Sequence, residues 1–265
     1  ANDAISFNLV DSLFFKDELE KFYTIFFNKE KINEVNFISF KDYKKIPIKN
    51  ISKKYKRNKI AVIYAQGDIT DGKGNFDQIG SESIVKDIRK AYNDEKTKAI
   101  VLRINSPGGS ALASDVILRE LNIAKRNKPL IVSFGDVAAS GGYYIACNAD
   151  KIFSSKNTIT GSIGVFGVLM NLEKFNQNIG LSYDNVKTSK YSDFADPSRP
   201  LNDEEKIILQ SQIERTYDLF LSHVSNGRDL SKNKVDEIGQ GRVWSGVDAL
   251  QNNLVDEFGG LNDAI

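Results

Sequence analysis

Three glycine-containing turns hold the residues with chemical potential. In "GDVAASGGYYIACN" (135–148), Ser140 stands between small residues and the Gly141-Gly142 pair. In "TITGSIGVFG" (158–167), Ser162 stands among glycines, and in "NSPGGSA" (105–111) Gly108 and Gly109 follow a proline. A serine hydroxyl is a weak nucleophile until a neighbouring base takes its proton. Histidine is the usual base, and the one histidine, His223, lies far away in sequence. Ser140 is therefore a helix-capping loop residue, or it works with another kind of base, or its base comes from outside this chain. A strand, a Pro-Gly-Gly turn and a helix leave backbone N–H groups free to hold an oxyanion. The same glycines also suit a tight strand–helix connection. The Gly141 N–H is a candidate second donor, and the Ser162 hydroxyl either orients a base or caps a turn.

The elements around these turns alternate. "KIAVIYAQGDI" (59–69), "KAIVLRIN" (98–105), "PLIVSFG" (129–135) and "KIFSS" (151–155) read as buried strands. "SESIVKDIRKAYND" (81–94), with Ser81 as N-cap, and "SDVILRELNIAKRN" (114–127) carry apolar stripes at helical spacing. "GGYYIACNA" (141–149) continues as a helix behind the serine. This βαβαβα rhythm predicts an α/β fold with parallel strands and right-handed crossovers. Downstream, 202–229 is a long amphipathic helix capped by Asn202, with acidic residues in its first turn and His223 as an ordinary helix residue. Residues 231–241 and 246–265 follow as shorter helical pieces broken by glycines.

Residues 1–57 do not share that rhythm. "NLVD" occurs at 8–11 and again at 253–256, each time beside a short apolar–acidic helical stretch. Internal repetition of this kind predicts that residues 1–20 are the tail of an earlier copy of the domain, and that 58–265 is the second copy. The basic stretch 41–59 reads as a solvated linker.

Composition narrows the classes. The 265 residues carry 36 Lys and Arg against 35 Asp and Glu, a net charge of +1, which gives no global field for nucleic acid. Cys147 is the single cysteine, so an intrachain disulfide or a zinc cluster is excluded and core packing is expected. No apolar run reaches the length needed to span a bilayer, and the N-terminus does not read as a signal peptide.

The order and spacing of the turns resemble the signal peptide peptidase A (protease IV) family, of Clp protease/crotonase-like fold. The likeness runs over 58–265, through "VLRINSPGGS", "GDVAASGGYYIACNADKIFSS", "TGSIGVFG", "GRVWSGVDAL" and "NLVDEFGG". It implies a serine peptidase with a Ser–Lys dyad, no metal and no cofactor. It carries the nucleophile onto Ser140, the oxyanion donors onto Gly108, Gly109 and Gly141, and the base-orienting hydroxyl onto Ser162. It also implies leftover signal peptides and other membrane-derived peptides as substrates. A ring-like homo-oligomer and a place in the bacterial envelope, inner-membrane associated with the catalytic domain outside the cytoplasm, are implied too. Substrate is expected to add as a strand beside 129–135, next to a small apolar pocket.

One position departs from the resemblance. The lysine expected just before "DPSRP" is Ser192 here, with Lys190 two residues and Lys187 five residues early. Two residues of extended chain displace a side chain by roughly 6–7 Å. In double-length members the serine lies in the second copy and the lysine in the first, which agrees with the "NLVD" repeat. A lysine with pKa near ~10.4 needs a desolvating pocket to act as a base at neutral pH. The alternatives are Lys190 as the base, a catalytically incomplete scaffold, and a crotonase-like acyl-CoA enzyme that needs no serine at 140.

Overall fold

The computed structural model describes residues 2–44 and 58–265, so the centre of the predicted linker, 45–57, lies outside the described residues. The chain divides into two units, Ala1–Tyr55 and Lys56–Ile265. The first holds α1 (Asn2–Ser6), α2 (Lys16–Phe26), a 3-10 turn and α3 (Phe40–Tyr43). Its Phe14, Phe22 and Phe26 rings stack on one another. Val35 is its one buried apolar side chain among the described residues.

The second unit begins with β1 (Lys59–Gln66), which breaks at Gly67 into β2 (Asp68–Thr70). Gly67 has φ +97°, and a Cβ there would sit 1.8 Å from the Asp77 carbonyl, so only glycine fits. β3 (Gln78–Gly80) leads into α4 (Ser81–Asn93), then β4 (Thr97–Ser106), α5 (Ala111–Asn127) and β5 (Leu130–Ala139). After β5 come α6 (Gly141–Tyr144), β6 (Lys151–Ser154), β7 (Ile159–Gly161) and α7 (Glu173–Asn178). The chain closes with α8 (Asp203–Arg228), α9 (Lys232–Ile238), β8 (Val243–Ser245), α10 (Gly246–Gln251), β9 (Glu257–Phe258) and α11 (Leu261–Ala264).

The main sheet runs β1-β4-β5-β6-β9, all parallel, as the βαβ rhythm predicts. Its central strands read as near-continuous apolar runs because both faces are covered. On one face α4 buries Ile84, Val85 and Ile88, and α5 buries Ile117, Leu118 and Leu121. On the other, Leu261 and Ala264 of α11 cover Val101 and Phe153. Asn202 and Glu205 form a reciprocal capping box that starts α8, as expected from their spacing.

Four details differ from the sequence reading. The N-cap of α4 is Gly80, not Ser81, which is already the first helical residue; a side chain at 80 would sit 2.0 Å from the Lys73 carbonyl. The helix after Ser140 ends at Tyr144, where the chain tightens into turns such as Ala149 N–H to Ala146 O. The stretch 231–265 contains two short strands as well as helices, and β8 lies antiparallel to β7. Finally, β5 cannot take an added substrate strand. One edge pairs with β4, and the other is divided between β6 at Ile131–Ser133 and β7 at Val137–Ala139.

Candidate active site

Ser140 stands at the C-terminal end of β5, where the strand turns abruptly into α6. It has φ +52° and ψ −120°, a conformation that costs a non-glycine residue about 1–3 kcal/mol. Two hydrogen bonds hold it there: its N–H donates to the Gly161 carbonyl at 3.0 Å, and its carbonyl accepts the Tyr144 N–H at 2.8 Å. The small neighbours are sterically required. A Cβ on Gly141 would sit 2.6 Å from Ser114 Oγ, and one on Gly142 2.7 Å from the Ser106 carbonyl. The turn thus holds Ser140 against the backbone of Gly161, with the Gly108 Cα side close beside its Cβ.

The Pro-Gly-Gly turn at the end of β4 packs directly onto this point. Gly108, at φ +111°, has no space for a Cβ, which would lie 2.7 Å from the Gly141 nitrogen and 2.8 Å from Ser140 Cβ. Gly109 is fixed by β2. Ile69 N–H donates to the Gly108 carbonyl at 2.7 Å, and Ser110 N–H donates to the Ile69 carbonyl at 2.8 Å. That alternation turns the Gly109 N–H away from β2. Gly108 N–H is taken by Ser106 Oγ at 3.1 Å. The N–H groups of Gly109 and Gly141 have no acceptor among the described residues. They are adjacent: a Cβ on Gly141 would come within 3.3 Å of the Gly109 nitrogen. Two free donors therefore stand beside one serine side chain.

Ser162 arrives by a different route. β7 pairs with the last residues of β5, and β8 anchors the turn beyond it, where Ser162 N–H donates to the Arg242 carbonyl at 2.7 Å. Ser162 also has a left-handed backbone, φ +48°. A cavity of about 840 Å³ joins Ser140 and Ser162 with Gly108 and Gly109. Val165, Phe166, Ile213 and Tyr217 give it apolar walls, and Asp68 and Glu214 stand at its polar parts. A second pocket of about 250 Å³ adjoins the first at Gly109, Ser140 and Phe166, and reaches Gly141, Tyr144 and Phe220. The contribution of α8 to both walls had no sequence signal beyond its amphipathic stripe.

No lysine lines either cavity among the described residues. Lys187 pairs with Asp193 at 2.6 Å. Lys190 pairs with Glu204 and is 64% exposed. The Glu204 carboxylate, chiefly through its hydrogen bond, raises the Lys190 pKa, the opposite of what a neutral amine base needs. Ser192 is exposed and donates to the Ser189 carbonyl at 3.1 Å. His223 lines neither cavity. The Cys147 thiol is fully buried, and burial pushes its pKa up to about 12. Among the described residues, no helix is long and apolar enough to cross a membrane.

A mostly parallel sheet with helices on its faces and a serine at a strained strand end agrees with a ClpP-like fold. The profile described as "ClpP-like SDH-type serine proteinase" matches residues 5–175. A second profile, "Peptidase family S49", matches residues 122–265, and the chain belongs to that family. Protease 4 of Haemophilus influenzae is 42% identical over 97% of this chain, and Protease 4 of Salmonella typhi is 41% identical over all of it. The "Putative signal peptide peptidase SppA" of Enterococcus faecium is 34% identical over 78% of the chain and 62% of its own length. This chain spans only 42% of the length of each of the two Protease 4 sequences.

Proposed function

We propose that this chain is the serine-bearing half of a double-length Ser–Lys endopeptidase that degrades remnant signal peptides and other membrane-derived peptides. The observation that carries the reading is the strained Ser140 beside the unpaired Gly109 and Gly141 N–H groups, on a cavity that no lysine lines among the described residues. In this reading a neutral lysine amine from a preceding repeat enters the cavity and is oriented by the Ser162 hydroxyl. Ser140 Oγ bonds to the scissile carbonyl carbon while its proton passes to the amine. The two N–H groups hold the resulting oxyanion. Collapse breaks the C–N bond, and the ammonium returns the proton to the departing amine. Water then repeats the sequence on the acyl-enzyme.

Local geometry supports a preceding repeat. Residues 3–11, "DAISFNLVD", align with 248–256, "DALQNNLVD". Asn8 and Asn253 share a left-handed φ, +54° and +57°. Leu9 N–H donates to the Ala4 carbonyl at 2.8 Å, and Leu254 N–H donates to the Ala249 carbonyl at 2.8 Å. The environments differ. Leu254 is fully buried, whereas Leu9 is 76% exposed. Asp256 accepts the Ile152 N–H and pairs with Arg228. A second copy of such a socket, in a preceding domain, would bury Leu9 and Val10 in the same way.

The free backbone edge beside Ser140 is Gly164–Phe166, whose N–H and carbonyl groups have no partner among the described residues. In this reading the substrate extends along it, with one apolar side chain in the 250 Å³ pocket. The envelope location and a homo-oligomeric ring, which the family resemblance implies, are further parts of the proposal. The test is peptide cleavage by this chain joined to its preceding repeat. Signal-peptide cleavage that disappears in Ser140→Ala is expected; cleavage that survives the substitution overturns the reading.

A further inference from the structure

The pocket behind Ser140 ends on side chains from three elements, and the reaction above leaves their polar groups unused. Tyr144 lies one helical turn past Ser140, is 4% exposed and forms part of the pocket wall. Its hydroxyl donates to Asp115 Oδ1 at 2.8 Å. Asp115 belongs to the first turns of α5, immediately beyond the Gly108-Gly109 turn. Phe220 of α8 packs on the Tyr144 ring with centroids 4.7 Å apart. His223, one turn further on, meets the same ring edge-on at 5.3 Å. His223 Nε2 is buried without a hydrogen-bond partner and stands 3.4 Å from Asp115 Oδ1. A buried histidine nitrogen beside a carboxylate already engaged by a tyrosine is a costly arrangement to keep without a use.

We propose that Asp115, acting through Tyr144 and braced by His223, fixes the depth of the pocket beside Ser140 and makes it select compact aliphatic over aromatic substrate side chains. The inference rests on the reading of Ser140 as nucleophile. Tyr144 and Phe220 are specificity-determining residues, while Asp115 and His223 are positioning residues. The physical argument concerns the tyrosine hydroxyl. Burial and the Asp115 carboxylate hold it protonated, so it remains a donor that needs an acceptor. With Asp115 in place the ring is pinned between Phe220 and His223 and closes the pocket end. Without that acceptor the hydroxyl loses its partner, and the ring turns toward the solvent that the half-exposed Asp115 side chain meets. The pocket then opens by the space the ring vacates.

Peptide boronic acids test this on the whole chain, because they need no base to react. Serine Oγ adds to boron, the hydroxyl proton goes to solvent, and an anionic tetrahedral boronate results. Three probes carry an alanine, a leucine or a phenylalanine side chain next to boron, and their dissociation constants are compared on each variant. Wild type is expected to prefer leucine over phenylalanine by about tenfold or more, the scale on which apolar pockets discriminate. Asp115→Ala is expected to reduce that ratio by about tenfold, whereas Tyr144→Phe, which has no hydroxyl to satisfy, should keep it, and adding Tyr144→Phe to Asp115→Ala should restore it. Asp115→Asn keeps an acceptor for the tyrosine and should keep the wild-type ratio. The ratio cancels the amount of folded protein, so a purely structural role would leave it unmoved. Asp115→Ala that binds the probes with the wild-type ratio overturns the inference alone. Wild type that binds every probe no better than Ser140→Ala overturns the nucleophile reading, and the inference with it.

Discussion

Replacing Gly108 by alanine separates the two duties assigned to the turn at 107–109. The new methyl group would lie 2.7 Å from the Gly141 nitrogen and 2.8 Å from Ser140 Cβ, on a backbone with φ +111°. Neither obstacle is the flexible end of a side chain, so the turn itself must move. Backbone strain of this kind costs about 1–3 kcal/mol. Misplacing an oxyanion donor costs about 10²–10³ in kcat. Gly72→Ala supplies the control. Gly72 also has a left-handed φ, +76°, but nothing lies within 4 Å of its missing Cβ. Both variants should lose stability in a urea titration. The assay is kcat/KM on a fluorogenic peptide, measured with the chain joined to its preceding repeat. Gly72→Ala should cleave at close to the wild-type rate, and Gly108→Ala should fall by about 10²-fold or more. A folded Gly108→Ala that cleaves within about threefold of wild type would refute the placement of the donors.

Other expectations follow from the same geometry. Arg199 bonds Asp193 and the fully buried Glu205, and these contacts hold both carboxyls near pKa about 2. Because the folded pKa values are depressed, this stabilisation is complete above the unfolded values near ~4 and is lost as pH falls toward about 2. Arg199→Ala should therefore raise the midpoint of acid unfolding followed by circular dichroism. Leu254→Ala should cost about 2–5 kcal/mol in the isolated chain, whereas Leu9→Ala should cost almost nothing there and a comparable amount once the preceding repeat is attached. Cys147 should stay unreactive toward a disulfide reagent at pH 8 until the chain is unfolded in denaturant, since burial holds the thiol protonated.

The parts of the site that were legible in the sequence are those encoded by local steric demand. Gly108, Gly109, Gly141, Ser140 and Ser162 all sit just past the ends of parallel strands, and a parallel sheet gathers such ends on one edge. The left-handed backbones of Ser140 and Ser162 were not legible, because no local residue preference asks for them. They are imposed by β7 and β8, whose three-residue lengths leave almost no periodic signal. The continuation of β5 to Ala139 was hidden for a related reason. Its small residues, Ala138 and Ala139, suit a loop as well as a strand, and pairing with β7 decides between them. The Asp115–Tyr144–His223 cluster joins residues more than a hundred positions apart and could be found only in three dimensions.

The most direct test of a nucleophile waiting for its amine is the rate at which a fluorophosphonate modifies Ser140, followed by intact-mass and peptide mapping. The chain alone and the chain joined to its preceding repeat are compared at pH 8. The account predicts slow or no modification of the chain alone and rapid, single modification at Ser140 in the joined protein. Rapid labelling of the chain alone, or labelling of the joined protein at any other residue, would contradict it.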